Sequence, residues 1–117
     1  MHLALILLFV ASATAVCILP PRLGKTCAKI YKHSRCRGDM YDIKKGSKVG
    51  YDMPYGGWND VTSSIVVAPT CGMLVYVHGR YKGGIKFLRA GIHGNLKRYR
   101  RLLLRNWNDV ISSFKYE

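Results

Sequence analysis

The chain is expected to fold as an all-β sandwich of two Greek keys, stabilised by disulfides. Three observations point there: short alternating or β-branched apolar runs, an internal repeat about 45 residues long, and four cysteines in a chain of 117 residues. Past residue 15 no long stretch keeps apolar residues at i, i+3, i+4 and i+7, so no long amphipathic helix is predicted. The sheet signal comes instead from CAKIY, DMYDI, SSIVVA, GMLVYV and GIKFL, separated at short intervals by Gly, Pro, Asn and Asp.

Taken in order, the first element is an apolar run from Leu3 to Val10, followed by Ala13-Thr14-Ala15. This is the pattern of a secretory signal peptide. Cleavage is expected after Ala15, giving a secreted chain that starts at Val16. A run of that length is too short to span a bilayer, and no later run is long enough. Residues 16–26, with Cys17 and Pro20-Pro21, read as an N-terminal arm. Residues 27–117 read as one domain, with a first Greek key over 27–69 and a second over 70–117. The twelve glycines, mostly between the runs, are expected to supply turns of positive φ.

The two halves repeat one another. Thr26-Cys27 answers Thr70-Cys71, YKHSRCRG from Tyr31 answers YVHGRYKG from Tyr76, and WNDVTSSI from Trp58 shares six of eight positions with WNDVISSF from Trp107. The Tyr-to-Tyr offset is 45 and the Asn59-to-Asn108 offset is 49, so the second copy carries four extra residues. They fall near LKRYRRLLLRN, the most basic stretch of the chain. Trp58 and Trp107 are expected to pack in the core or at its corners.

Cys17, Cys27, Cys36 and Cys71 all lie beyond the cut, which implies two disulfides with three pairings open. Zinc is disfavoured, because no C-x-x-C occurs and thiols do not persist as ligands in an oxidising compartment.

These repeats resemble the Greek keys of the βγ-crystallins. In that family an aromatic residue precedes by seven positions a glycine on a folded hairpin, and a later serine ties the last strand to the hairpin. Tyr31–Gly38 with Ser64, and Tyr76–Gly83 with Ser113, match both marks, and the resemblance covers roughly Ala28 to Tyr116. One position departs: Cys36 stands where the second hairpin has Tyr81, which implies a ring contact exchanged for a disulfide. The resemblance also implies calcium. The family motif (N/D)(N/D)xx(S/T)S is matched by Asn59-Asp60-Val61-Thr62-Ser63-Ser64 and by Asn108-Asp109-Val110-Ile111-Ser112-Ser113. By that likeness Asn59, Asp60, Val61, Ser63, Asn108, Asp109, Val110 and Ser112 form two sites, each shared by both keys. Carboxylate, hydroxyl and the carbonyls of Val61 and Val110 are hard oxygens of the kind calcium takes. With one carboxylate per site in a cationic chain, binding is expected to be weak, in the range of about 10⁻⁴–10⁻³ M, and structural.

The charge sets the function class. Nineteen Lys and Arg against six Asp and Glu give +13, none of it in residues 1–15. A few units suffice for solubility, and so large an excess implies attraction to a polyanion. Lys97, Arg98, Tyr99, Arg100, Arg101 and Arg105 in the extra segment are the candidate surface-binding residues. A helical turn there would let Leu102 and Leu103 pack down, the arginines meet phosphate or carboxylate, and Tyr99 stack on a sugar or base. Lys25, Lys29, Lys32, Arg35 and Arg37 on the first hairpin, with Arg80, Lys82 and Lys86 on the second, widen that surface. His33, His78 and His93 occur without a Ser-His-Asp spacing, an H-E-x-x-H motif or paired carboxylates, so no catalytic residues are assigned.

The expected protein is therefore a secreted monomer that is not an enzyme, binding anionic microbial surfaces or wall polysaccharides. Its resemblance to small antifungal and killer-toxin-like members of the family points the same way. Alternatives are an inhibitor of a secreted metalloproteinase and an extracellular calcium-binding structural protein. Specific nucleic-acid binding is disfavoured by the signal peptide.

Overall fold

The protein is described here from a computed structural model, covering residues 17–46, 58, 60–101 and 105–116. The segment expected to be a signal peptide and its expected cleavage point, Asn59 and Leu102–Leu104 lie outside the described residues. Seven strands follow in order: β1 (Thr26–His33), β2 (Arg37–Lys44), β3 (Ser64–Val67), β4 (Met73–His78), β5 (Lys82–Leu88), β6 (Gly91–His93) and β7 (Ser113–Tyr116). They form two antiparallel sheets, ordered β2-β1-β3-β6 and β5-β4-β7.

The registers repeat as the sequence does. Ile30 pairs with Ile65 and Tyr31 with Ser64 in the first sheet, while Val75 pairs with Phe114 and Tyr76 with Ser113 in the second. Alternation then turns Ile30, Ile43, Ile65, Met73, Val75, Leu88 and Phe114 inward, and these residues pack in one core with Leu96, Trp107 and Ile111. Trp107 is buried, and Trp58 packs against the core from a half-buried position. The two keys interlock: β6 belongs to the second repeat by sequence, yet it pairs with β3 of the first sheet.

Each hairpin turns through two consecutive non-glycine residues in the left-handed region, Arg35-Cys36 and Arg80-Tyr81. Asp60, Thr70 and Asp109 also have positive φ. The expectation that glycine supplies the turns of positive φ holds at Gly38, Gly46, Gly83 and Gly91 but not at these positions. Gly38 and Gly83 do take positive φ, but their need for a bare Cα is also steric: a Cβ at either would meet the ring of His33 or His78. The strained hairpin residues are held from outside. Ser64 Oγ donates to the His33 carbonyl at 2.7 Å and accepts from Cys36 N–H at 3.0 Å. Ser113 Oγ makes the same two bonds to the His78 carbonyl and Tyr81 N–H, at 2.6 and 3.1 Å.

The disulfides are Cys17–Cys36 and Cys27–Cys71. The first staples the arm to the turn of the first hairpin. In the second hairpin the equivalent position is Tyr81, whose ring lies 5.5 Å from that of Tyr76, so a covalent tie does replace a ring contact. The second bridge joins the starts of the two keys.

Candidate functional site

The two NDVxSS segments meet reciprocally. Asp60 N–H donates to the Ile111 carbonyl and Asp109 N–H to the Thr62 carbonyl, both at 3.0 Å. Ser63 N–H and Ser112 N–H donate to the carbonyls of Tyr31 and Tyr76, both at 2.9 Å. With the backbones fixed in this way, the Ser112 hydroxyl donates to Asp60 Oδ1 at 2.8 Å and the Ser63 hydroxyl to Asp109 Oδ1 at 2.9 Å. Each carboxylate therefore meets the serine of the other repeat. The left-handed φ of Asp60 and Asp109, 57° and 56°, turns each segment sharply at its acidic residue.

The donor set at the Asp109 end suits a hard cation. Asp109, Ser63, Asn108 and Val61 line one cavity of about 730 Å³, and carboxylate, hydroxyl, amide and carbonyl oxygens are what calcium takes. Asn108 Oδ1 is buried and accepts no hydrogen bond among the described residues. At the other end stand Asp60, Ser112 and the half-buried Val110. Among the described residues no cluster of three or more His, Cys, Asp or Glu exists. Hydroxyl, amide, backbone and water oxygens would have to complete the coordination of any ion at either end.

The same cavity is lined by Lys32, His33, Ser34 and Arg37 of the first hairpin and by Asn95 and Lys97 of the extra segment. Lys32 is partly engaged, 3.6 Å from Asp39 and 5.2 Å above the Trp58 ring. Arg37 Nε donates to the Ser34 carbonyl at 3.3 Å. Lys97 is carried on a short 3₁₀ turn, Leu96–Arg98, capped by the Asn95 side chain and anchored by fully buried Leu96.

Of the basic extra segment, only Lys97 lines this cavity. Arg100 bridges to Asn106, Arg101 N–H donates to the Arg105 carbonyl, and the Arg101 guanidinium lies 5.7 Å from the Trp107 ring centre. Tyr99 differs from its expected stacking role. Its hydroxyl shares a 2.6 Å hydrogen bond with His93 Nδ1, and Lys86 covers its ring at 4.7 Å. That side chain is used in tying the segment to β6. The sequence reads as one broad cationic surface with no single narrow pocket, and it does not show that Arg37 and Lys97 share one cavity with a motif aspartate. Asn95 was overlooked as well, although an Asn just before the LKR run is a capping signal.

Comparison with known proteins fixes the family. The family model for syncollin matches residues 13–116. Human syncollin is 33% identical over 97 residues, covering 76% of this chain and 69% of that one. Rat syncollin is 30% identical over 123 residues, covering 94% and 89%. Among solved structures, one from work on the evolution of the eye lens βγ-crystallin domain fold has a TM-score of 0.68 at 28% identity, covering 88% of this chain and 93% of that one. A βγ-crystallin from Ciona intestinalis has a TM-score of 0.61 at 19% identity, covering 77% and 98%, a likeness of fold alone. No helix among the described residues is long and apolar enough to cross a membrane. A match running through both Greek keys and both octets makes this chain a member of the syncollin family, built on a βγ-crystallin domain.

Proposed function

We propose that this chain is a secreted, non-catalytic protein that binds anionic polymers of microbial envelopes, with weak structural calcium binding at its two octets. The observation that carries the reading is the meeting of Lys32 and Arg37 from one hairpin with Lys97 from the extra segment around a single cavity. A solvated basic face has no need of such convergence, whereas guanidinium and ammonium groups from separate elements suit a repeating phosphate or carboxylate. The reciprocal serine–aspartate pairs support calcium at each end, where an ion would brace the junction between the keys.

The test is binding of the mature protein to a teichoic acid, which carries phosphate along its chain, together with growth inhibition of bacteria and fungi with and without calcium. Salt-sensitive binding is expected, and no binding at low salt would reject the reading. For calcium, Asp60→Ala with Asp109→Ala is expected to abolish any calcium-dependent rise in Tm; a rise that survives in the double variant removes these residues from the site.

One observation favours inhibition of a secreted proteinase as a second reading. The arm is held by Cys17–Cys36 and by a Gly24 N–H to Pro21 carbonyl bond at 3.1 Å, and it exposes 94% of Leu23 beside that turn. A braced loop with a protruding apolar side chain can enter a protease cleft. Stoichiometric inhibition of a metalloproteinase that is lost in Leu23→Asp would establish it.

A further inference from the structure

We infer that the cavity at Asp109 is a calcium-coupled oxyanion site, in which a phosphate ester held by Arg37 and Lys97 and a calcium ion held at Asp109 each raise the affinity of the other. This rests on the polymer-binding reading and names the chemical unit that the cavity would take.

Only the Asp109 end is described as a cavity among the described residues. Val61, Ser63, Asn108 and Asp109 line the cavity, while Asp60, Val110 and Ser112 are not among its lining residues. The charges inside it do not neutralise one another. Asp109 makes no ion pair among the described residues, although Arg37 and Lys97 share its cavity, and neither of those cations has a carboxylate within ion-pair distance among the described residues. With Lys32 already paired to Asp39, a cavity that keeps one carboxylate apart from two unpaired cations suits a pair of ligands of opposite sign.

Charge and coordination also complement each other. One carboxylate in a +13 chain leaves a bound dication poorly compensated. A phosphate ester would supply both the missing negative charge and further hard oxygens. Its remaining charge would meet the guanidinium and the ammonium, groups suited to phosphate. The volume of about 730 Å³ falls among small-molecule pockets, with room for a phosphoglycerol unit and not for a folded polymer.

The experiment titrates the mature, disulfide-bonded chain with glycerol 3-phosphate by calorimetry, in calcium and in EDTA, and titrates calcium with and without the phosphate. Calcium should lower the phosphate Kd by about fivefold or more, and phosphate should lower the calcium Kd by the same factor, as linkage requires. Asp109→Ala should remove the coupling and Asp60→Ala should leave it. Arg37→Gln and Lys97→Gln should weaken phosphate binding while calcium binding in the absence of phosphate persists. Equal phosphate affinity in calcium and EDTA overturns the proposal, as does equal loss of coupling in Asp60→Ala and Asp109→Ala, with thermal melts establishing that both variants fold. Teichoic acid binding that persists unchanged in EDTA would keep the polymer-binding reading and sink this one. Coupled binding of glycerol 3-phosphate without adhesion to the polymer would do the reverse.

Discussion

Ser64 and Ser113 each satisfy two backbone groups at the mouth of a hairpin whose turn residues sit in the left-handed region. Both serines are fully buried, so removing a hydroxyl takes the partner from a hairpin amide and a hairpin carbonyl at once, and in the first hairpin the bond to the Cys36 amide is buried. Ser64→Ala and Ser113→Ala should each lower stability by about 1–3 kcal/mol, seen as a fall in the denaturant midpoint at unchanged slope. An unmoved midpoint would mean the hairpins hold themselves. Tyr31 offers a pH test at the same scale. Burial, helped by the nearby Asp42 carboxylate, raises its hydroxyl above the ordinary value of 10.0. A group with a raised folded pKa contributes stability that is fully present below the unfolded value and is lost as pH climbs through the folded one. Stability should therefore decline above about pH 10, and Tyr31→Phe should flatten that decline. An equally steep alkaline loss in the variant would exclude Tyr31 as its source.

Among the elements, the hairpins and the octets were legible before any coordinates, because their signals are local. Tyr, six residues and Gly, followed by an octet with its serines, mark turns and strand starts within a few residues of one another. The disulfide pairing was not legible, since three pairings fitted the same four cysteines. The two bridges enclose separations of 19 and 44 residues, and chain-entropy estimates give about 3 and about 4 kcal/mol for loops of those sizes. Removing Cys27–Cys71 by paired serine substitution should thus cost more than removing Cys17–Cys36, as measured by thermal or denaturant melts. The opposite order would show that the arm contributes more than loop closure. The extra segment also behaved differently from its expectation. Leu96, not recognised as an anchor from its spacing, is the residue described as its buried tie, and Tyr99 is drawn inward to His93.

For the whole molecule, the charge of +13 is spread over both hairpins and the extra segment, and the fold concentrates part of it at one cavity. This separates two kinds of basic residue. Replacing Arg98, Arg100, Arg101 and Arg105 together should reduce polymer affinity and its salt dependence by weakening the general field, which screening removes. Replacing Arg37 and Lys97 should remove the share of the affinity that survives added salt best, because there two cations from separate elements would close on one bound phosphate at contact distance. If both sets weaken binding with the same salt dependence, the cavity is one more stretch of basic surface.

By itself the sequence determined the β class, the two-key construction, the hairpin ties, the sign of the charge and the residues of each octet. All of these depend on neighbours in the chain, where side-chain period, turn chemistry and single-residue composition leave direct traces. Tertiary structure alone decided that β6 joins the first sheet, that Cys17 meets Cys36, that Ser63 faces Asp109 and Ser112 faces Asp60, and that Lys97 comes to the same cavity as Arg37. Those contacts join residues far apart along the chain. They arise because two half-buried sheets must cover one core, and the packing that achieves it carries their turns together.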